Sequence, residues 1–413
     1  MSDPVKFGSF KGMDNIHQPY ELPRDTLRRA VNVDITDAGK VRRRKGATLA
    51  MSITSAHSLW SDGINGYFVQ NNQLLKFNPN GTTTLMGAFL AGLNPTSFCA
   101  TPGGEIYITC KTASAVIRAG VMNAWGLEVP IVPPTLIAST GTLDAGTYFA
   151  VVTYLRADGR ESGASKQVAI TLAAVGGIAM VAAPNPTDAT ITKKRLYLTS
   201  ANGDIFYMVA EVLPSDQFVT IGTPTTGAQL RTAHLSPPPF GINLTYYKGR
   251  VFIVDAATPS VLWFTNGFAY DHVDTRKNFY QFGAPISNII AVTDGMYVTA
   301  DQTYFITNAG SDDAVSESVA AFGAIAGSAE VLPNSNDVIW MTERGPLIGR
   351  ESGVIELIAE SSISVGAMAN SASIVREQDG IRQFLVVGNN LGSSSLQSVG
   401  YAQAEVIRQA AGG

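Results

Sequence analysis

The sequence predicts an all-β protein: a β-propeller of about six blades with an inserted fibronectin type III or immunoglobulin-like β-sandwich. Three observations lead to this prediction. Apolar and polar residues alternate along many short segments, which is typical of half-buried strands. These segments recur every 39–45 residues, the spacing of propeller blades. The 413 residues include 40 Gly and 20 Pro, which supply turns between short strands.

The repeating unit is an alternating strand, a polar turn and a second alternating strand. Its six copies are Gly66–Phe77, Gly104–Arg118, Gly249–Phe264, Gly295–Ile306, Asp337–Gly349 and Ile381–Val387 with a partner near Leu396–Tyr401. Two copies precede a long interval and four follow it. We therefore predict that residues 51–130 form the first part of the propeller and residues 237–413 the second part.

The long interval separates Ile106 from Val251 by 145 residues. Subtracting one blade leaves roughly 100 residues, the size of an immunoglobulin-like sandwich. Proline-rich segments bound this region at Val129–Pro134 and Ser236–Pro239. Within it, Asp-Gly and Asn-Gly turns separate alternating runs, and both dipeptides are hairpin signals. The sequence therefore predicts an inserted sandwich over residues 131–236.

The N-terminal arm, residues 1–50, is basic. Residues 1–46 contain ten Lys or Arg and six acidic residues, so they carry +4, against −8 for the remainder of a chain of net charge −4. Such asymmetry indicates nucleic acid or a negatively charged partner; a solvated or subunit-paired arm is the reading that we favour. We expect a short helical turn at Asp25–Ala30, a strand at Val31–Ile35 and a hairpin at Asp37–Gly39. The arm is also a candidate for the strand that closes the ring.

Motifs that carry chemistry are missing from the sequence. The four His residues are far apart, and there is no nucleophile elbow, Walker A loop or dinucleotide fingerprint. The pentad Gly159–Gly163 recurs as Gly349–Gly353, and Gly-flanked polar residues suit turns. The acidic segment Ser311–Glu317 lacks the spacing of a calcium loop. We therefore predict no catalytic residue, no metal site, no cofactor and no enzymatic activity.

Cysteine usage and hydropathy argue against disulfides and membrane insertion. The two cysteines, Cys99 and Cys110, are interpreted as buried thiols. Residues 1–10 lack the apolar stretch of a signal peptide. The longest mostly apolar run, Val168–Ala183, is shorter than the roughly 20 residues that cross a bilayer. It predicts two buried strands around a glycine turn, in a protein that folds in a cytoplasm.

The most distinctive pattern lies in the arm. It reads Gly-x-x-Asn, Leu-Pro, Ala-x-Asn-x-Asp and Gly-x-x-Arg-x-Arg-x-Gly, at Gly12, Asn15, Leu22, Pro23, Ala30, Asn32, Asp34, Gly39, Arg42, Arg44 and Gly46. This pattern resembles the opening of tail nozzle and tail hub proteins of short-tailed bacteriophages, of the packaged-DNA stabilisation type. The insert is similar to their fibronectin-type segments at Gly146–Tyr148, Thr153, Tyr154, Asp158, Gly159, Glu161, Ser162 and Arg195–Tyr197.

The resemblance implies a structural protein of the virion tail, assembled in the host cytoplasm. Such a subunit forms a homo-oligomeric ring, commonly a hexamer, below the portal and adaptor proteins and next to tail needle, spike or fibre proteins. The ring is the channel that retains and ejects genomic DNA, which it contacts transiently. The candidate contacts with a subunit, an adaptor or DNA are Arg24, Arg28, Arg29, Arg42, Arg43, Arg44 and Lys45.

Two other functions fit parts of the sequence. A carbohydrate-binding or carbohydrate-cleaving propeller would use Trp60, Trp263, Trp340 and Tyr304. Aromatic residues on alternating strands, however, usually fill the core between blades. A nucleic-acid binder would use the basic arm, and its affinity would fall steeply with salt.

Overall fold

A computed structural model describes residues 8–36, 38–44, 48–49, 51–223, 227–365, 368–378, 381–390 and 405–408. Over these residues the chain is built of β-strands, with one 3-10 turn at Glu351–Gly353 and no α-helix. The all-β prediction is confirmed. None of the described segments is a helix of the length and apolar character that crossing a bilayer requires.

The arm forms two small sheets of its own. Strands β1 (Gly12–Met13) and β2 (Thr26–Leu27) pair in parallel, and β3 (Val33–Ile35) and β4 (Val41–Arg43) form an antiparallel hairpin. The short helical turn expected at Asp25–Ala30 is wrong, because β2 is extended and hydrogen-bonded to β1. Within the described residues the arm adds no strand to a blade, so it does not supply the expected closing strand.

The first two blades are four-stranded antiparallel meanders. Blade 1 consists of β5 (Ala56–Ser61), β6 (Gly66–Gln70), β7 (Gln73–Phe77) and β8 (Thr83–Ala88). Blade 2 consists of β9 (Ser97–Ala100), β10 (Ile106–Thr109), β11 (Ser114–Arg118) and β12 (Val121–Asn123). In both blades the predicted hairpin is the central pair of strands, and the outer strands are additional.

The region between blades 2 and 3 has two antiparallel sheets. Its strands are β13 (Thr135–Leu143), β14 (Gly146–Arg156), β15 (Val168–Leu172), β16 (Gly176–Val181), β17 (Ile191–Thr199), β18 (Phe206–Val212) and β19 (Phe218–Ile221). The sheet orders are β13-β16-β19 and β15-β14-β17-β18, and both sheets contribute to one hydrophobic cluster. The region, here called the sandwich, thus has two sheets around one cluster. Its β13 and β14 lie in different sheets, whereas the first two strands of an immunoglobulin domain share one, so the immunoglobulin-like or fibronectin type III class of the insert stays a prediction.

The chain then returns to the propeller. A short pair, β20 (Leu235–Ser236) and β24 (Val273–Asp274), flanks blade 3, which consists of β21 (Gly241–Tyr247), β22 (Arg250–Asp255), β23 (Val261–Phe264) and β25 (Phe279–Gln281). Blade 4 consists of β26 (Asn288–Ala291), β27 (Gly295–Thr299), β28 (Thr303–Thr307) and β29 (Val315–Ala320). Blade 5 consists of β30 (Glu330–Val331), β31 (Val338–Thr342), β32 (Gly345–Gly349) and β33 (Ile355–Leu357).

The sixth sheet contains β34 (Met368–Gln378), β35 (Ile381–Asn390) and β36 (Glu405–Arg408). The predicted sixth copy is thus present as β35, while its expected partner near Leu396–Tyr401 lies outside the described residues. The six sheets agree with the predicted number of blades.

Successive blades pack face to face through shared apolar clusters, and this packing is that of a β-propeller. One cluster joins blades 1 and 2, and further clusters join blades 3 and 4, blades 4 and 5, and blades 5 and 6. Blades 2 and 3 meet through Tyr107, Val116 and Val251, all fully buried. Because blades 2 and 3 pack on each other, the two-sheet region between them in sequence is an insertion.

Candidate functional site

The arginine run Arg42–Arg44 is split between the two faces of the β3–β4 hairpin. In the β3–β4 register, Asp34 lies opposite Arg42. Side chains of successive strand residues point to opposite faces, so Arg43 points to the face opposite that of Arg42. The guanidinium of Arg44 donates to Oδ1 of Asp34 at 3.2 Å and is mostly buried. The run therefore supplies one structural ion pair and two exposed charges.

Two polar residues fix the arm on blade 6 and on the connection between blades 5 and 6. The buried Asp34 accepts a second hydrogen bond, from Nε2 of Gln383 in β35, at 3.2 Å. The side chain of Asn15 pairs with Ser364: its Nδ2 donates to the Ser364 carbonyl (2.9 Å), and its Oδ1 accepts from the Ser364 amide (2.8 Å). The backbone amide of Asn15 also donates to the carbonyl of Ser362. The arm is thus a docked element of the propeller.

Most of the predicted contact residues remain available to a partner. Arg24, Arg28, Arg29, Arg42 and Arg43 are exposed, and none of them pairs with an acidic residue in the described part of the chain. Lys45 lies outside the described residues. The structure therefore places five guanidinium groups that have no ion-pair partner among the described residues, here called the basic arm face, on an anchored element.

A second site, which the sequence did not reveal, lies where blade 2, blade 3 and the sandwich meet. Asp271, in the loop between β23 and β24, is 0% exposed along its side chain. Its Oδ1 accepts from Arg118 of blade 2 at 2.7 Å. Its Oδ2 accepts from Arg156 and Arg160 of the sandwich, each at 2.5 Å. One carboxylate therefore connects three parts of the molecule.

Charge compensation keeps this carboxylate ionised. Burial raises the pKa of Asp271, but the charge and hydrogen bond of Arg118, followed by those of Arg156, hold it at about 2. Burial lowers the pKa of Arg118, but the charge and hydrogen bond of Asp271, together with those of Tyr107, raise it above its ordinary value. Glu105 accepts a further bond from Nε of Arg118 at 2.8 Å. Each arginine of the junction is thus paired with at least one carboxylate.

A cavity of about 360 Å³ adjoins this network. Its charged lining residues are Glu105, Arg118, Arg156, Asp158, Arg160 and Asp188. All three arginines already pair with carboxylates. The lining therefore offers no uncompensated positive charge for an anion, and the geometry is suited to holding domains together.

Close backbone contacts make the same joint rigid. A Cβ at Gly163, in the sandwich, would lie 1.8 Å from the carbonyl oxygen of Leu235. Gly126, at φ +100°, packs against Pro237. The indole of Trp125 donates to the carbonyl of Tyr270 at 2.8 Å. The sandwich is consequently held at both of its connections to the propeller.

The aromatic residues considered for a carbohydrate site lie apart. Trp60 packs in the cluster of blades 1 and 2, Tyr304 in that of blades 3 and 4, and Trp340 in that of blades 4 and 5, where it is fully buried. Trp263 lies against the cluster of blades 2 and 3. The structure does not bring these four side chains together, and each packs between blades.

The part of the chain that the structure describes contains no assembled metal site and no disulfide. There, no three His, Cys, Asp or Glu side chains gather as ligands for a metal ion. Cys99 and Cys110 are free and buried, as predicted. Burial lowers the pKa of His272, whose side chain lies beside Asp271.

Comparisons with known proteins give no family assignment. No family model and no curated protein matches the sequence. Among solved structures, a catalytically inactive virginiamycin B lyase from Staphylococcus aureus with quinupristin shares 11% identity at a TM-score of 0.31, over 81% of this chain and 94% of that one. BBS1N in complex with ARL6DN shares 10% at a TM-score of 0.31, over 81% and 88%.

A third solved structure is the extracellular domain of the putative one component system BT4673 from B. thetaiotaomicron. It shares 10% identity at a TM-score of 0.23, over 91% of this chain and 57% of that one. These values are too low to carry an argument about activity or partners.

Proposed function

We propose that this chain is a non-catalytic subunit of the tail nozzle or hub ring of a short-tailed bacteriophage. In this role it lies below the portal and adaptor proteins and lines the channel that retains and ejects genomic DNA. The observation that carries the proposal is the arm, whose resemblance to such proteins coincides with the residues that anchor it to the propeller.

The resembling positions have distinct structural tasks. Asn15 and Asp34 make the hydrogen bonds to the connection between blades 5 and 6 and to blade 6, respectively. Asn32 adopts φ +55°, and its carbonyl accepts from the amide of Arg44, which closes the hairpin. Gly39 adopts φ +72°, and a Cβ there would lie 2.6 Å from Cβ of Ser9. The motif residues therefore hold the arm against its own propeller, and in a ring this would present the exposed arginines to a neighbouring subunit in a fixed position.

Two tests address the proposal. Particles assembled without the chain should lose packaged DNA, measured as nuclease-sensitive genome, and the wild-type chain supplied in trans should restore retention. The Asp34→Ala variant should restore it less well, because the arm loses Arg44 and Gln383; Lys166→Glu, an exposed change in the sandwich, is the matched control.

Imaging of the purified full-length chain should show closed rings with a central opening. Particles that retain their DNA without the chain would contradict the proposal. A chain that stays monomeric at high concentration and in every salt condition would contradict it as well.

A further inference from the structure

Blade 4 carries an acidic surface that the ring function leaves unassigned. The 66 residues from Asn278 to Glu343 contain eight Asp or Glu and no Lys or Arg. Blade 4, from β26 to β29, lies wholly inside this segment. Five of the eight acidic residues, Asp294, Asp301, Asp312, Asp313 and Glu317, lie within blade 4, so this blade carries negative charge only, while the arm concentrates positive charge.

Three of these acidic groups lie in or next to the outer strands of that blade: Glu317 in β29, Asp313 in the loop before β29, and Asp301 in the turn between β27 and β28. β29 is the last strand of its sheet and pairs with β28 alone. Asp301, Asp313 and Glu317 are exposed, and none of them forms an ion pair with a described residue. Asp312 differs, because it acts electrostatically on Arg250 of blade 3. Asp301, Asp313 and Glu317 are here called the acidic edge.

Both surfaces combine charge with exposed apolar groups. Val315 of β29 is 55% exposed and lies two residues before Glu317, on the same face of the strand. On the arm, Tyr20 is 83% exposed and Val41 is 40% exposed. Aromatic and arginine side chains dominate the binding energy of protein interfaces, and opposite charges set their orientation and rate of association.

We propose that the basic arm face of one copy binds the acidic edge of blade 4 on a second copy. The arm is anchored to blade 6 and to the connection between blades 5 and 6 of its own chain, yet its five arginines have no described acidic partner there. The complementary surface is on the chain itself, and this favours a second copy over duplex nucleic acid. The inference deepens the proposed ring function and rests on it for the closure of the assembly.

The geometry of this contact determines the kind of assembly. The two surfaces differ, so each copy that engages one partner keeps its other surface free. Such heterologous contacts produce a closed ring when the rotation between copies closes, and a filament when it does not. Because the contact is charged and partly exposed, its strength should fall as salt screens the charges.

Charge reversal tests the contact. One variant carries Arg29→Glu and Arg43→Glu; the other carries Asp313→Lys and Glu317→Lys. Arg42 is kept because it lies opposite Asp34. Each variant alone should associate at least about tenfold more weakly than the wild type in sedimentation velocity at low salt. An equimolar mixture of the two should regain association, because each arm then meets an edge of opposite charge.

Matched controls are Lys166→Glu and Asp204→Lys, two exposed changes in the sandwich that should leave association unchanged. Thermal melts of all variants should agree with the wild type, because the reversed side chains have no ion-pair partner in the described fold.

Three results would overturn the inference. Association that both reversals leave intact would remove the arm–edge contact and leave the ring function standing. Loss of association by the arm variant without recovery in the mixture would exclude the acidic edge. Duplex DNA that binds the wild type and not the arm variant, with association unchanged, would assign the arm to nucleic acid. A wild type that never associates would instead contradict the ring function itself.

Discussion

Two carboxylates, one fully buried and one half-buried, lie at junctions between blades, and their surroundings differ. Asp271, where blade 2, blade 3 and the sandwich meet, accepts hydrogen bonds from three guanidinium groups. Glu330, where blade 5 meets blade 6, has one hydrogen-bond partner in the described part of the chain, the hydroxyl of Ser373 in β34, which donates to its Oε1 at 3.0 Å.

The difference appears in the two pKa values. Burial raises both, but Arg118 and Arg156 bring the pKa of Asp271 down to about 2. For Glu330 burial dominates, and the Ser373 hydrogen bond opposes it only in part, so its pKa rises to about 7. Burial of an acid thus stabilises or destabilises a blade junction according to whether arginines accompany it.

The largest expected effect comes from breaking the compensated junction. Asp271→Asn removes the charge and leaves Arg118, Arg156 and Arg160 repelling one another in a poorly hydrated site. Removing one partner of a buried ion pair costs about 3–5 kcal/mol, and we expect a loss of that order in the free energy of unfolding at pH 7. Chemical denaturation followed by the fluorescence of Trp125, which lies at the joint, measures it.

The free energy of unfolding of the wild type should also depend on the ionisation of Asp271. The folded pKa of Asp271 lies below the ordinary 3.8, so its stabilisation is present above pH 4 and is lost as the pH falls towards 2. Asp204→Asn, an exposed change in the sandwich, is the control and should stay within about 0.5 kcal/mol of the wild type. A loss below about 1 kcal/mol for Asp271→Asn would show that this carboxylate is not needed to compensate the charges of the three arginines.

The uncompensated junction should respond in the opposite direction. The folded pKa of Glu330 lies above the ordinary 4.5, so the junction loses stability as the pH rises from 4.5 through 7. Glu330→Gln keeps an acceptor for Ser373 and cannot ionise. We expect it to raise the free energy of unfolding at pH 8 by roughly 1–3 kcal/mol and to leave it unchanged near pH 4.

Denaturation at the two pH values measures this difference, and Glu343→Gln, at an exposed position, is its control. An equal effect of Glu330→Gln at pH 4 and pH 8 would show that ionisation of this side chain is not what the junction resists.

The sequence predicted the repeat of blades, because short apolar strands recur at a regular spacing between turn residues. It predicted half-buried strands, whereas central strands such as β10, where all four residues are buried, are covered on both faces. It missed outer strands such as β29, whose exposed Val-Ser-Glu-Ser run has the composition of a loop. It also placed a helical turn where Thr26 and Leu27 are extended, because local propensity gives way to pairing with Gly12 and Met13.

The basic arm face was recognisable as a cluster of charges, since its residues are close in sequence. The sequence did not show which arginine would be neutralised. The register of the β3–β4 hairpin decides that Arg44 pairs with Asp34. The Asp271 junction was beyond reach for a related reason: its arginines are 111, 115 and 153 positions away. Only the folded chain brings these charges within hydrogen-bonding distance.

The smallest expected effect sharpens the comparison within one junction. Asp158 pairs with Arg156 at 2.8 Å, and Arg156 also contacts Asp271, but the Asp158 side chain is 45% exposed. Exposed ion pairs contribute about 0–1 kcal/mol because water competes for both charges. Asp158→Asn should therefore lower the free energy of unfolding by less than about 1 kcal/mol, and the loss should shrink in 0.5 M salt as the charges are screened.

The Asp271→Asn loss, measured in parallel, should change little with salt, because its carboxylate is shielded from solvent. If Asp158→Asn proved as costly as Asp271→Asn, the number of carboxylates near the arginines, and not their burial, would set the stability of the joint.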